Sequence, residues 1–140
     1  MNTRDRWKVW RDRLAEQVLG VLDAGVDGDP GVFEPLALEI FAYQYEHNAP
    51  YRAFCDAVGV APARVAAWAD IPSYPTDAFK SEIVASFETE KAVQAIMTSG
   101  TTRPNQRGRI CRDETGQKLV FTANRTMSGA YLFPDFGIGQ

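Results

Sequence analysis

The chain has 140 residues, of which 45% are hydrophobic, so it is large and apolar enough to form a core of ordinary domain size. A formal net charge of −3 argues against a surface built throughout for nucleic acid or for an anionic membrane. The two cysteines, Cys55 and Cys111, have no thiol or histidine at ligand spacing, which disfavours a disulfide framework and a zinc site. No apolar run approaches a membrane span and no export signal is visible, so a cytoplasmic protein is expected.

Helices are predicted for the first half of the chain. Large apolar residues recur at three- and four-residue steps from Trp7 to Val21, which predicts a helix that ends near Gly25. The Asp, Gly and Pro residues at 27–31 favour a surface loop. Three further helices are predicted, over residues 33–44, 51–58 and 62–68.

A change of character begins at residue 70. Pro72 and Pro75 exclude a regular helix before Thr76, and this is the predicted boundary between a helical region, 1–69, and an α/β region, 70–140. Short strands are predicted over residues 83–87, 93–97 and 108–112.

A last helix is predicted to begin after Asp113, which is suited to cap it. Its inward face is expected to carry six apolar residues: Leu119, Val120, Ala123, Met127, Ala130 and Tyr131.

The run Thr98, Ser99, Gly100, Thr101 and Thr102 directly follows an apolar segment and predicts a phosphate-binding loop. Backbone N–H groups can line the concave side of such a turn, the glycine permits positive φ and close approach of an oxyanion, and the hydroxyls add donors. The alternative is an ordinary turn between two strands, which the same residue types also form.

Arginines follow this run at positions 103, 107, 109 and 112. Arg107 and Arg109 can supply a cation to a bound phosphate, because a guanidinium suits phosphate oxygens in a bidentate geometry. A solvated basic strand face is an equally good interpretation. Nucleic-acid binding is disfavoured, since no interleaved aromatic residues or basic helix accompany these arginines.

The remaining chemically active residues give no catalytic assignment. His47, the only histidine, is expected at a helix end, Cys111 within a strand, and Cys55 in a helix core. Several carboxylates follow the prolines without a spacing that selects metal ligands: Asp77, Glu82, Glu88 and Glu90.

Three segments together resemble the acyl-protein synthetase (LuxE) family, within the class of adenylate-forming enzymes. These are Ile71–Lys80, the loop Thr98–Thr102, and Arg109–Asp113. The resemblance implies an adenylate-forming-type nucleotide-binding domain that uses ATP and Mg²⁺ to activate a fatty or other carboxylic acid as acyl-AMP. It also implies transfer of the acyl group to a protein thiol, with an acyl-acceptor or reductase protein as partner.

Two departures from the family pattern qualify the resemblance. The broader class has glycine and then lysine shortly after the loop, where this chain has Arg103–Arg107, so Arg107 or Arg109 is the candidate replacement for the cation. Members of the class are also considerably longer, so the chain resembles their N-terminal part. We expect such a fragment to be inactive alone.

Two alternatives remain open. A phenylacetate-type acyl-CoA ligase shares the same loop and differs in delivering the acyl group to coenzyme A. A non-catalytic interaction module is the other alternative, because the incomplete sheet of a fragment leaves an unpaired strand edge that favours homo-oligomerisation.

Overall fold

The computed structural model of the chain describes residues 3–25, 28–97 and 107–132, with side chains from residue 6 onward. These residues form a mixed α/β structure that is mostly helical and contains a two-stranded antiparallel sheet. The elements are α1 (Thr3–Ala24), α2 (Phe33–His47), α3 (Ala49–Ala57), β1 (Gln94–Met97), β2 (Arg109–Arg112) and α4 (Glu114–Met127). Short 3₁₀ turns lie at Pro30–Val32, Pro62–Arg64, Trp68–Asp70, Thr76–Lys80 and Thr89–Lys91, and a π-turn, Ser128–Leu132, follows α4. No helix among the described residues is long and apolar enough to cross a membrane.

The ends of α1 and α3 have local causes, and α1 ends near Gly25 as predicted. Helix α1 stops before Gly25, whose φ of 71° lies in the left-handed region that favours glycine. Asn48 caps α3, because its side-chain oxygen accepts a hydrogen bond from the backbone N–H of Tyr51 at 3.2 Å. After α3, Gly59 has a φ of 74° and its N–H donates to the carbonyl of Asp56 at 3.1 Å. The N-terminal helical region is therefore confirmed.

The prediction of a helix over residues 62–68 is wrong. The backbone forms one 3₁₀ turn, Pro62–Arg64, and then becomes extended at Val65, with φ −104° and ψ 116°. Val65 packs against the core of the neighbouring helices. A helix this short would form few hydrogen bonds in return for the backbone residues that it orders. The packing of Val65 therefore determines the conformation of this segment.

The prediction of a strand over residues 83–87 is also wrong. This segment does not pair with any described strand. It is hydrogen-bonded to side chains of α2. The Tyr43 hydroxyl donates to the Ser86 carbonyl at 3.4 Å, and the Ser86 hydroxyl donates to Gln44 Oε1 at 2.5 Å. The strands predicted on either side of the loop are confirmed as β1 and β2.

Helix α4 begins after Asp113 as predicted, but its buried face differs from the predicted one. Thr122 is buried, and the Thr126 hydroxyl donates to the Leu22 carbonyl of α1 at 3.2 Å. Because one residue corresponds to about 100° of rotation, a face through these threonines turns Met127 away. Met127 and Tyr131, which were expected inward, are exposed, as is Ala130.

The chain divides into two compact units. Unit 1 comprises Met1–Leu36 and Thr115–Gln140, and unit 2 comprises Ala37–Glu114. Unit 1 contains α1, the start of α2 and almost all of α4, and its buried apolar residues are Leu14 and Ala15. The domain boundary predicted near residue 70 stays a prediction.

Unit 2 is organised around an aromatic core. Phe41, Tyr51 and Cys55 are buried together at the contact of α2 with α3. The rings of Phe41 and Tyr51 meet edge to face with centroids 6.1 Å apart, and Tyr74 contacts Tyr51 in the same way at 5.8 Å. Further side chains pack against this core: Tyr45, Phe54, Val60, Val65 and Ile71. The residues after α3 are therefore fixed to the helices by aromatic packing.

Candidate functional site

The two strands place the ends of the candidate phosphate loop side by side. β1 and β2 pair antiparallel in the register Gln94↔Arg112, Ala95↔Cys111, Ile96↔Ile110 and Met97↔Arg109. Residues 98–108 therefore connect two adjacent strand ends. The candidate loop residues themselves lie outside the described part of the chain: Thr98, Ser99, Gly100, Thr101 and Thr102.

Arg109 lies where this connection returns to the sheet. It stands opposite Met97, the residue directly before Thr98. Arg107 and Arg109 are both exposed, and neither has an ion pair or a side-chain hydrogen bond to any described residue. Both side chains are thus exposed, and Arg109 lies opposite the residue that precedes the candidate loop.

Arg112, the third arginine on this side of the loop, has a structural role. Its guanidinium is partly buried and donates to Gln94 Oε1, its cross-strand neighbour, at 3.3 Å. The cross-strand bond stabilises the end of the sheet that lies away from the loop. The structure thus separates Arg112 from the two exposed arginines, Arg107 and Arg109.

Three of the four carboxylates considered as metal ligands make other contacts. Asp77 pairs with Lys80 at 2.6 Å, Glu88 pairs with Lys91 at 2.7 Å, and Glu82 accepts a hydrogen bond from the Tyr74 hydroxyl at 3.1 Å. Among residues 6–25, 28–97 and 107–132, no group of three or more His, Cys, Asp or Glu side chains is arranged to hold a metal ion.

The histidine and the cysteines lie where the sequence placed them. His47 is the last residue of α2, and its ring lies 4.7 Å from that of Tyr43. Cys111 is within β2. Cys55 is fully buried in α3, and burial raises the pKa of its thiol. A thiol held neutral and out of solvent is a poor nucleophile, so Cys55 has a packing role.

Unit 2 also contains an apolar cleft that the sequence interpretation missed. Its volume is about 370 Å³, and it opens between α2, the start of α3 and the segment at residues 71–84. Eight apolar or aromatic residues and two amides line it: Ala37, Ile40, Phe41, Gln44, Asn48, Tyr51, Ile71, Tyr74, Phe79 and Val84. No charged side chain is among them. The spacing of Ile40, Phe41 and Gln44 on α2 indicated a buried helical face, but nothing in the sequence indicated that this face borders a cleft.

The tyrosines of the cleft are held in their neutral form. The Tyr51 hydroxyl donates to the Pro72 carbonyl at 2.8 Å, and burial raises the pKa of Tyr51 well above its usual range. Burial also raises the pKa of Tyr74, and its hydrogen bond to Glu82 acts in the same direction. The wall of the cleft is therefore uncharged at neutral pH.

Comparison of the chain with protein-family models, with curated proteins and with solved structures finds no match. The function is therefore inferred from the residues of the chain and from their geometry.

Proposed function

We propose that the chain belongs to an ATP-dependent acyl-protein synthetase of the LuxE type, and that residues 70–140 begin its adenylate-forming nucleotide-binding domain. In this proposal Thr98, Ser99, Gly100, Thr101 and Thr102 bind the β- and γ-phosphates of ATP through backbone N–H groups and hydroxyls. Arg107 and Arg109 add positive charge beside them.

The register of β1 with β2 is the observation that carries the proposal. It brings Met97, the residue before Thr98, opposite the exposed Arg109, so the hydroxyl-rich run begins at the end of the sheet where an exposed cation lies. A phosphate tail needs both hydrogen-bond donors and positive charge, and guanidinium groups provide short, charge-assisted bonds to phosphate oxygens.

The proposed reaction has two steps. The carboxylate of the acid attacks the α-phosphorus of ATP, pyrophosphate leaves, and an acyl-AMP mixed anhydride forms. A thiol of the acceptor protein then attacks the acyl carbonyl and AMP leaves, so the acyl group becomes a thioester. Mg²⁺ would enter with the nucleotide, since phosphate oxygens and water form most of its usual shell and the described residues offer no ligand cluster.

Calorimetric titration of the 140-residue chain with Mg·ATP tests the loop. The double variant Ser99→Ala with Thr102→Ala should weaken binding by about 1–3 kcal/mol if the two hydroxyls bond anionic oxygens. The matched control is Ser73→Ala with Thr76→Ala, which removes two exposed hydroxyls outside the loop and should leave the affinity unchanged. Equal affinity of the loop variant and the wild-type chain would remove the loop from the site.

The arginines require a separate comparison. Replacing Arg107 and Arg109 together by glutamine should weaken Mg·ATP binding about tenfold, or about 1.4 kcal/mol, because two accessible cations are lost. Arg52→Gln, at an exposed position of α3, is the matched control. If Arg52→Gln lost affinity for Mg·ATP and the double arginine variant did not, the assignment would be contradicted.

The identity of the acyl acceptor separates the two ligase alternatives. With a radioactive carboxylic acid and Mg·ATP, label that becomes bound to a protein thiol supports the acyl-protein synthetase. Label recovered on coenzyme A instead supports the phenylacetate-type ligase. The assay requires the complete enzyme, because the proposal treats this chain as its N-terminal part.

A non-catalytic interaction module is the second candidate, and the described sheet favours it. That sheet has two strands, so each has an edge that pairs with no other described strand. Val93 and Met97 are exposed at 51% and 46% beside β1. Unpaired edges with apolar neighbours favour pairing with a second chain. Sedimentation velocity over a range of concentrations tests this candidate: a mass that rises with concentration supports it, and a monomer at every concentration contradicts it.

A further inference from the structure

We propose that the cleft in unit 2 is a binding site for a small, uncharged, largely apolar molecule that carries one hydrogen-bond acceptor such as a ketone, ester or amide carbonyl. Its volume of about 370 Å³ falls within the range of roughly 300–1,000 Å³ that is typical of small-molecule sites.

The composition of the wall selects the charge of the ligand. Among the described residues lining the cleft none is charged, and its two phenols, Tyr51 and Tyr74, are neutral at pH 7 because their pKa values start near 10 and burial raises them further. A carboxylate entering such a site loses hydration and meets no cation that compensates for it. A neutral ligand avoids this loss, while its apolar part replaces water along Ile40, Phe41 and Val84.

Gln44 supplies the point of polar recognition. Its side-chain oxygen accepts two hydrogen bonds, from the Ser86 hydroxyl at 2.5 Å and from Asn48 Nδ2 at 3.4 Å. These two donors fix the orientation of the amide, and its Nε2 group has no hydrogen-bond partner among the described residues. An oriented amide N–H₂ in an apolar wall offers donors to a carbonyl oxygen of a ligand.

The wall is organised before a ligand enters. Phe41 is only 3% exposed and packs edge to face on Tyr51, whose hydroxyl is bonded to the Pro72 carbonyl. Tyr74 is held on one side by Tyr51 and on another by Phe79, with ring centroids 5.8 and 6.1 Å apart. Side chains that are already ordered lose little conformational freedom on binding, which favours affinity.

Acetophenone and benzoate form a matched pair of probes, because they have similar shapes and differ in charge. Each is titrated into the ¹⁵N-labelled 140-residue chain without nucleotide, and the side-chain amide resonances of Gln44 are followed. We expect acetophenone to shift these resonances with saturation and benzoate to bind at least tenfold more weakly. Unchanged Gln44 resonances with acetophenone, or benzoate that binds as tightly, would overturn the proposal.

Filling the cleft gives an independent test. Ala37→Phe places a ring at the wall and should weaken acetophenone binding at least tenfold, whereas Ala53→Phe, at an exposed position of α3 outside the cleft, should leave it unchanged. If Ala37→Phe fails to fold, Val84→Phe takes its place at the opposite wall. Equal binding by the wild-type chain and a folded, filled variant would overturn the proposal. Since ATP is absent throughout, these results are independent of the phosphate loop.

Discussion

The two units differ in where their aromatic residues lie. In unit 2, Phe41, Tyr51 and Tyr74 pack on one another around α2 and α3. In unit 1, Phe121 of α4 and Tyr131 of the following π-turn are exposed at 70% and 65%. The three packed rings therefore stabilise unit 2 by burial, whereas these two exposed rings contribute little to unit 1. Aromatic content alone would not have distinguished them.

Their polar contacts differ in the same direction. Tyrosine hydroxyls of unit 2 reach backbone carbonyls 21 and 43 residues away in sequence, at Pro72 and Ser86. In unit 1 the Thr126 hydroxyl donates to the Leu22 carbonyl at the end of α1, and Arg125 and Asp23 form a long ion pair of 3.8 Å. Exposed ion pairs of this kind contribute little to stability. We therefore expect substitutions in unit 2 to have the larger effects.

Truncation of a core ring should give the largest difference between the units. Phe41→Ala should lower the free energy of unfolding by about 3–5 kcal/mol, because a ring that is 3% exposed leaves a cavity. Phe121→Ala, the matched change at the exposed ring of unit 1, should change it by less than about 0.5 kcal/mol. Urea unfolding followed by circular dichroism measures both. Similar losses for the two variants would contradict the comparison.

Glycine-to-alanine changes should have opposite signs in the two units. Gly59, after α3, has a φ of 74°, so an alanine there should destabilise the fold by about 1–2 kcal/mol. Gly20 lies within α1 with nothing within 4 Å of an added Cβ, so its alanine variant should be more stable by about 0.5–1 kcal/mol. Thermal unfolding distinguishes the two. Stabilisation by Gly59→Ala would show that the α3 terminus does not need the left-handed conformation.

Removal of a single hydroxyl should have a smaller effect. Tyr51→Phe deletes the hydrogen bond to the Pro72 carbonyl and should cost about 0.5–1.5 kcal/mol, while Tyr131→Phe, at an exposed ring, should cost nothing measurable. Urea midpoints of the two variants make the comparison. Should both midpoints equal that of the wild-type chain, the bond between α3 and Pro72 would not contribute to stability.

Alkaline pH should destabilise unit 2, and the change in its free energy of unfolding should be smallest near neutral pH. Burial raises the pKa of the Cys55 thiol above its ordinary value of 9.0 and that of Tyr51 above 10.0. Below pH 9 the folded and unfolded states both keep these protons. Above it the unfolded chain releases them and the folded chain retains them, so the free energy of unfolding should fall as pH rises.

Melting temperatures between pH 7 and pH 11 test this dependence. Tyr51→Phe should show a shallower decline than the wild-type chain, because phenylalanine has no proton to release, and Tyr131→Phe should follow the wild-type curve. An increase in the melting temperature as the pH is raised beyond 9 would contradict the direction of both pKa shifts.

Local signals in the sequence predicted the end of α1 and the two strands. Gly25, predicted to end α1, acts through its own backbone conformation, so its effect can be predicted from a few neighbouring residues. The apolar residues around the candidate loop likewise predicted β1 and β2. The chemical identity of the loop depends on a resemblance and remains a prediction.

Features that depend on distant residues were not predictable. The cleft combines residues from Ala37 to Val84, and its wall exists only after α2, α3 and the segment around Tyr74 pack together. The segment at 83–87 has strand-like residues, but contacts with Tyr43 and Gln44 decide its path. The buried face of α4 was predicted wrongly because Thr122 and Thr126 lie on it, and threonine is not counted among the apolar residues.

The most direct measurement of the central claim is hydrogen exchange of the 140-residue chain with and without Mg·ATP. If the loop between β1 and β2 binds the phosphates, the amides of residues 94–112 should exchange more slowly with nucleotide, while those of α1 should not change. Protection confined to other segments, or no protection at a concentration that saturates binding, would contradict the assignment of ATP to this loop.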